Sequence, residues 1–138
     1  MRANPKSAEA LFPVLSIFHV ASGEKLRAVW QYWADTSLVR LELEFGSTAL
    51  VLDADEDDDS ISLSNSSASV PIGFTRHDVS KGLPWSGLVG RPFGWGWVTI
   101  NPQGYCDGVL LSFDGLIPHV CVNVIASSIK VGAVARGL

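Results

Sequence analysis

Hydrophobic and polar residues alternate along most of the chain, and this pattern predicts a protein built mainly from β-strands. The clearest example is residues 37–45, "SLVRLELEF", in which Val39, Leu41, Leu43 and Phe45 alternate with charged residues. A strand of this kind buries one face and exposes the other to water, which is typical of an antiparallel sheet. Further strands are predicted at residues 24–33, 49–54, 60–64, 93–100, 105–113, 117–125 and 128–135.

Turn signals lie between these strands and predict a meander in which each strand pairs with the next. "GST" at residues 46–48 and "DG" at residues 114–115 are hairpin connections, and "NPQG" at residues 101–104 is a turn. We expect one short helix or strand at residues 10–21 and one helical turn or loop at residues 84–90. The predicted fold class is therefore mainly β, or α+β if the short helix counts. The antiparallel meander would form a bent sheet, a small barrel or a two-layer sandwich.

The length of the chain fits one domain over residues 1–138. Residues 1–10 are expected to be disordered or loosely attached to this domain. Residues 65–82 are rich in small and polar side chains, which predicts a long loop.

The composition argues against nucleic-acid binding and against membrane association. Hydrophobic residues make up 47% of the chain, and the net charge is −4 with no cluster of basic residues. We therefore expect a globular protein that does not bind nucleic acid. The apolar segment at residues 10–21 contains Pro13 and His19 and is too short to cross a bilayer, so no membrane association is expected.

The two cysteines are expected to be free thiols. Cys106 and Cys121 fall in neighbouring predicted strands about four positions out of register, or roughly 13 Å at ~3.3 Å per residue. This separation is too large for a disulfide. Free thiols are typical of a reducing compartment, so the predicted location is the cytoplasm.

An acidic run, "DADEDDD" at residues 53–59, is the first candidate site. Asp55, Asp57 and Asp59 would supply the oxygen ligands that Ca²⁺ or Mg²⁺ prefers. The run does not match an EF-hand loop, because Asp58 stands where that loop needs glycine and Ser64 where it needs glutamate. The alternative is a solvated turn whose like charges discourage aggregation at a sheet edge.

The second candidate site lies in "FGWGWVTINPQGYCDG", residues 93–108. In an extended strand Trp95 and Trp97 share one face, and two parallel indoles could stack a sugar or a base. Asn101, Tyr105 and Asp107 follow around the turn and would add hydrogen-bonding groups, so these five residues are the predicted ligand-binding set. The alternative is structural: tryptophan packs against the neighbouring strand, while Asn101 and Asp107 hold the turn.

Catalytic motifs are not evident. The sequence has no G-x-S-x-G nucleophile motif and no phosphate-binding glycine loop, and its histidines lack the spacing of metal ligands.

The favoured function is a non-enzymatic module that binds a protein or small ligand at the Trp95/Trp97 strand and the adjacent turn, without a cofactor. The alternatives are a metal-assisted enzyme using residues 53–59, an acidic loop that faces a basic protein partner, and a structural homodimer that pairs edge strands; the chain is otherwise expected to be a monomer.

The two halves of the chain show a similar order of residues. Residues 32–64 can be aligned with residues 105–131, and in each segment a tyrosine and an aspartate precede an alternating strand. Either a meander has been duplicated, in which case Asp35 and Asp107 are equivalent, or two sets of hairpins are similar by chance.

The motifs "VWQYW" (residues 29–33), "DEDDDSISL" (55–63), "GRPFGWGWVTINPQGYCDGVLLSF" (90–113) and "IASSIKV" (125–131) resemble a family of small, uncharacterised bacterial proteins classed as a domain of unknown function. The resemblance covers residues 24–134. It implies a bacterial origin and a single stand-alone domain. It implies no activity, so it assigns no functional residue.

Overall fold

The computed structural model describes residues 2–3, 11–66 and 73–134. Within these ranges the chain forms ten strands and one helix. They are β1 (Arg2–Ala3), α1 (Leu11–Ala21), β2 (Ala28–Ala34), β3 (Ser37–Glu44), β4 (Ala49–Asp55), β5 (Ser60–Ser64), β6 (Thr75–Asp78), β7 (Phe93–Ile100), β8 (Cys106–Phe113), β9 (Pro118–Ile125) and β10 (Ser128–Ala133).

The strands form two antiparallel sheets, which confirms the predicted mainly β fold. The first sheet has six strands in the order β1-β5-β4-β3-β2-β6, and the second has four in the order β10-β9-β8-β7. Strand β10 contacts β3, and β5 contacts β8, so the two sheets face each other. Of the three predicted architectures, the described residues form the sandwich and not a closed barrel.

The core lies between the sheets and follows the alternation seen in the sequence. Leu41 and Leu43 of β3 pair with Leu52 and Leu50 of β4, and all four side chains are fully buried. Each leucine removed from water in this way contributes roughly 1.5–3 kcal/mol. The second sheet supplies the facing apolar surface through Val109, Leu111, Phe113, Val120 and Val122.

Helix α1 packs against both sheets, because it contacts β4 and β5 on one side and β7 on the other. Its buried residues Val14, Ile17, Phe18 and Ala21 follow the i, i+3, i+4, i+7 spacing of one helical face. The helix ends before Gly23, whose φ of 82° is the left-handed conformation that commonly terminates helices. Of the helix and the strand that the sequence allowed at residues 10–21, the helix is the one that forms.

Two segments differ from the prediction or lie partly outside the described residues, and a third, residues 84–90, agrees with it. Strand β6 occupies part of the predicted loop at residues 65–82, because its four residues pair with β2, while residues 67–72 lie outside the described residues. Residues 84–90 form consecutive turns that bury Trp85 and Leu88 in the core. The prediction for residues 1–10 falls mostly outside the described residues, although the backbone of β1 pairs with β5.

Candidate functional site

The two tryptophans of β7 are half-buried, and Trp95 takes part in packing. Trp95 pairs with Ser112 and Trp97 with Leu110 on β8. The centre of the Trp95 indole lies 5.9 Å from the centre of the Phe18 ring of α1. The register of β7 shifts between Phe93 and Trp95, and β7 is an edge strand, so this indole can reach the helix. A ligand-binding role for Trp95 and Trp97 stays a prediction.

The glycines between these tryptophans allow close approach of neighbouring atoms. A Cβ atom on Gly96 would collide with the Phe18 ring, and one on Gly94 would collide with the carbonyl oxygen of Gly115. The glycine pair therefore lets the helix and the β8–β9 turn sit directly on the backbone of β7.

Asn101 and Asp107 hold the hairpin that joins β7 to β8. The Asn101 side-chain oxygen accepts hydrogen bonds from the backbone N–H of Gln103 and of Tyr105, each at 3.0 Å. The Asp107 carboxylate accepts one from the Thr99 hydroxyl at 2.9 Å. The Asn101 contacts are those that the structural alternative describes, whereas the Asp107 contact joins β8 to a side chain of β7 and not to the backbone of the turn.

The acidic run forms the tip of the β4–β5 hairpin and uses several carboxylates to hold its own backbone. Asp55 accepts a hydrogen bond from the backbone N–H of Asp57 at 2.9 Å, and Asp58 accepts one from that of Ser60 at 3.1 Å. Asp59, at a φ of 53°, accepts one from the backbone N–H of Ser127 at 2.7 Å. Because Ser127 lies in the β9–β10 turn, this bond fastens the acidic hairpin of the first sheet to the second sheet.

The structure brings the acidic hairpin and the β7–β8 turn to one surface depression of about 500 Å³, which we call the acidic concavity. Its lining residues are Glu56, Asp57, Asp58, Asp59, Gln103, Tyr105 and Ser127. The two sets of residues that the sequence predicted as separate sites therefore meet, with Tyr105 from one set and Asp57 and Asp59 from the other. Asp55, Trp95, Trp97, Asn101 and Asp107 are not among its lining residues.

Four carboxylates line the acidic concavity, and those of Glu56 and Asp57 are the more exposed to solvent. Both residues are exposed, and their carboxylates form no ion pair within residues 11–66 and 73–134. Gln103 and the half-buried Tyr105 form the neighbouring wall. A negative surface beside a phenol ring suits a cationic side chain, which gains from both charge and ring contact.

A preformed metal centre is not present among the described residues, where no group of three or more His, Cys, Asp or Glu side chains has a suitable arrangement. The predicted ligands explain why. The Asp55 carboxylate turns toward the backbone of Asp57, and the Asp59 carboxylate turns toward Ser127. Use of Asp55, Asp57 and Asp59 as a cation site stays a prediction.

Sequence reasoning missed Gln103, Ser127 and a second charged feature on the outer face of the first sheet. There the guanidinium carbon of Arg76 lies 3.6 Å from the ring centre of Trp30, which is the distance of a stacked cation–π pair. The register that pairs Arg76 with Tyr32 and Asp78 with Trp30 creates this contact across β2 and β6. No local signal in the sequence shows that these two strands are neighbours.

Burial raises the pKa of the Cys106 thiol to about 11, chiefly because the charged form would lose its hydration. This thiol is therefore protonated at neutral pH and is a poor nucleophile. The pKa of Asp78, an exposed carboxyl, is lowered by its hydrogen bonds with Ser80. Both shifts have local structural causes.

The fold and the acidic concavity together show what class of protein this is. It is a mainly β protein with two antiparallel sheets and an acidic surface depression. No helix within the described residues is long and apolar enough to cross a membrane. The profile of a family of unknown function, DUF6334, matches residues 9–137, and the chain belongs to that family. Neither the curated proteins nor the solved structures include a match to this chain.

Proposed function

We propose that this protein is a non-enzymatic binding module whose acidic concavity engages a basic segment of a partner protein. The observation that carries the proposal is the meeting of the acidic hairpin with Tyr105 and Gln103 in one depression. The exposed carboxylates of Glu56 and Asp57 supply attraction, and Tyr105 supplies an aromatic surface for an arginine or lysine side chain.

The fixed position of the hairpin supports this proposal. Asp59 accepts a hydrogen bond from the backbone N–H of Ser127, and the Ser127 hydroxyl donates one to the Glu56 carbonyl oxygen at 3.2 Å. These contacts hold the tip against the second sheet, so less conformational entropy is lost when a partner binds.

The metal-assisted enzyme has less structural support. It requires Asp55, Asp57 and Asp59 to converge on one ion, whereas Asp55 and Asp59 accept hydrogen bonds from backbone groups on different segments. The acidic concavity offers charge at its rim, through Glu56 and Asp57, which suits the recognition of a basic peptide better than the enclosure of an ion.

A charge-matched pair of variants tests the proposal with a fluorescein-labelled peptide of alternating arginine and glycine. The variant Glu56→Gln/Asp57→Asn should weaken binding about fivefold, since each exposed ion pair is worth ~0.5 kcal/mol. The control Glu24→Gln/Asp35→Asn changes the net charge equally but lies outside the concavity. Equal weakening by both variants would show that the peptide senses only the overall charge and would refute the site.

Mapping by NMR locates the contact independently of affinity. Addition of the same peptide should shift the backbone resonances of residues 56–59, 103–105 and 127 before others. Shifts confined to the β7 tryptophans would instead support the ligand site that the sequence predicted there.

A further inference from the structure

Among the described residues, strand β10 forms one edge of the second sheet. Within the described part of the chain it pairs with β9 alone, from Ser128 to Ala133. Lys130, Gly132 and Ala133 are exposed along it. Unpaired N–H and C=O groups on an accessible edge strand can accept another extended chain.

A trough runs beside this edge. It consists of two adjoining depressions of about 510 and 540 Å³ that share Leu83, Pro84 and Val131. The first is lined mainly by apolar side chains, including Leu88 and Val134. The second adds Trp33, Trp85 and Ile129 together with Asp78 and Lys130. We call the combined surface the edge trough.

The far wall of the edge trough exposes a large apolar side chain. Leu83 is 90% exposed, although the neighbouring Trp85 is 1% exposed and belongs to the core. Val131, which pairs with the fully buried Val122, is only half-buried because its side chain faces the trough. The trough therefore offers apolar contacts next to backbone groups that no described strand pairs with, and these are the two features that recognise an added strand.

We propose that the edge trough binds an extended segment of a partner protein, which adds to β10 as a further strand of the second sheet. Apolar side chains at alternate positions of the partner segment would contact Leu83 and Val131, and an acidic side chain of that segment would lie opposite Lys130. This site differs from the acidic concavity in both position and charge preference.

The charge of β10 identifies the occupant. Lys130 is the only charged residue of this strand and is exposed, so an acidic residue on the added strand completes an opposite-charge pair. A second copy of this chain would bring two Lys130 ammonium groups together if β10 paired antiparallel with itself near its centre. Edge lysines commonly oppose such self-pairing. The partner is therefore a different chain with an acidic, alternating segment.

A synthetic peptide, acetyl-Val-Thr-Val-Glu-Val-Thr-Val-amide carrying a fluorophore, probes the site on the full chain. Fluorescence anisotropy should show saturable binding. Lys130→Glu should weaken it about tenfold, and replacing the peptide's glutamate by lysine should restore it. The control Lys25→Glu makes the same charge change at an exposed residue outside the trough and should leave binding unchanged. Failure of the charge exchange to restore binding would overturn the proposed pairing with Lys130.

Backbone pairing has a separate readout. Two versions of the peptide are N-methylated, one at every valine and the other at the threonines and glutamate, so that each blocks the hydrogen bonds of one peptide edge. Only one version should lose binding, and the unmodified peptide should slow amide hydrogen exchange in β10. Equal binding by both versions would show apolar contact without strand addition and would overturn the proposal.

The variant Leu83→Ser removes the apolar wall without a core cavity, because this side chain is exposed. It should weaken peptide binding about tenfold while leaving the thermal unfolding midpoint unchanged. Sedimentation should show a monomer in the absence of peptide. A dimer that the peptide fails to dissociate, with no peptide bound, would assign the edge trough to a second copy of the chain.

Discussion

The two sheets contain four-stranded meanders with the same order, β5-β4-β3-β2 and β10-β9-β8-β7, but they use glycine differently. Strands β2–β5 contain no glycine, whereas β7 and β8 contain Gly94, Gly96 and Gly108 at points of close approach. The first meander is widened by β1 and β6, and the second keeps β10 as an edge in the described residues. The two meanders thus have the same strand order but different neighbours. The first is extended by further strands, whereas a helix and a turn pack against the backbone of β7 in the second.

The largest effect is expected from filling the space above the glycines of β7. Gly94→Ala and Gly96→Ala should each lower the free energy of unfolding by about 3 kcal/mol, because the new methyl group meets the Gly115 carbonyl or the Phe18 ring. Urea denaturation measures the change. Gly132→Ala in β10 is the matched control, since no atom lies within 4 Å of the position that its new methyl group would take, and it should be neutral or slightly stabilising.

A double variant sharpens this result. Gly96→Ala combined with Phe18→Leu should recover part of the loss, because the smaller side chain gives room to the methyl group. Simple additivity of the two losses would mean that the helix does not account for the glycine at position 96.

A smaller effect is expected at Ser112, which is fully buried beneath the β8–β9 turn. Its hydroxyl accepts a hydrogen bond from the Trp95 N–H at 2.9 Å and donates one to the Gly115 carbonyl oxygen at 2.6 Å. Ser112→Ala leaves both groups without this partner and should cost about 2 kcal/mol of unfolding free energy.

The first meander offers a matched control for Ser112. Ser62 of β5 is also buried, but its hydroxyl makes no hydrogen bond within the described residues, so Ser62→Ala should change stability by less than ~0.5 kcal/mol. Similar losses at the two positions would mean that burial, and not the turn contact, decides the cost.

The smallest effect concerns the thiol of the second meander. Because burial raises the pKa of Cys106 from 9.0 to about 11, the folded state holds this proton more tightly than the unfolded state. The contribution of this thiol to the free energy of unfolding is therefore fully present below pH 9, and it is lost as the pH rises from 9 to about 11. At pH 10 the expected loss is about 1 kcal/mol relative to neutral pH.

Comparison with Cys106→Ala isolates this contribution from other groups that titrate at high pH. The variant should show a shallower loss of stability above pH 9, measured by urea denaturation at a series of pH values. Parallel pH profiles for the two proteins would contradict the assignment to Cys106.

Much of the fold follows from local patterns. The alternation in residues 37–45 predicted β3, and the turn signals at residues 46–48 and 114–115 predicted the adjacent hairpins, because side chains of period two sort between core and water. Strand β6 escaped prediction. All four of its residues are exposed, so no buried face leaves a periodic signal, and only pairing with β2 makes it a strand.

The candidate sites depended less on local patterns. The sequence identified Tyr105 and the acidic run but treated them as unrelated. It gave no reason to include Ser127, which reaches Asp59 from 68 positions away. The same holds for Leu83, Val131 and Lys130, which come together only when β10 lies opposite the turns after β6.

The sequence by itself determined the strand class, the antiparallel meanders and the buried leucines of β3 and β4, since these depend on neighbours within a few residues. Its prediction that the charged face of β3 is exposed to water was wrong at Glu42, which is 5% exposed. Tertiary structure alone decided which hairpin tip meets which turn, why positions 94 and 96 require glycine, and which strands form the edges of the two sheets in the described residues. The physical reason is that close packing and backbone pairing between distant segments fix these features, and a local pattern of side chains carries no information about which distant segment will be its neighbour.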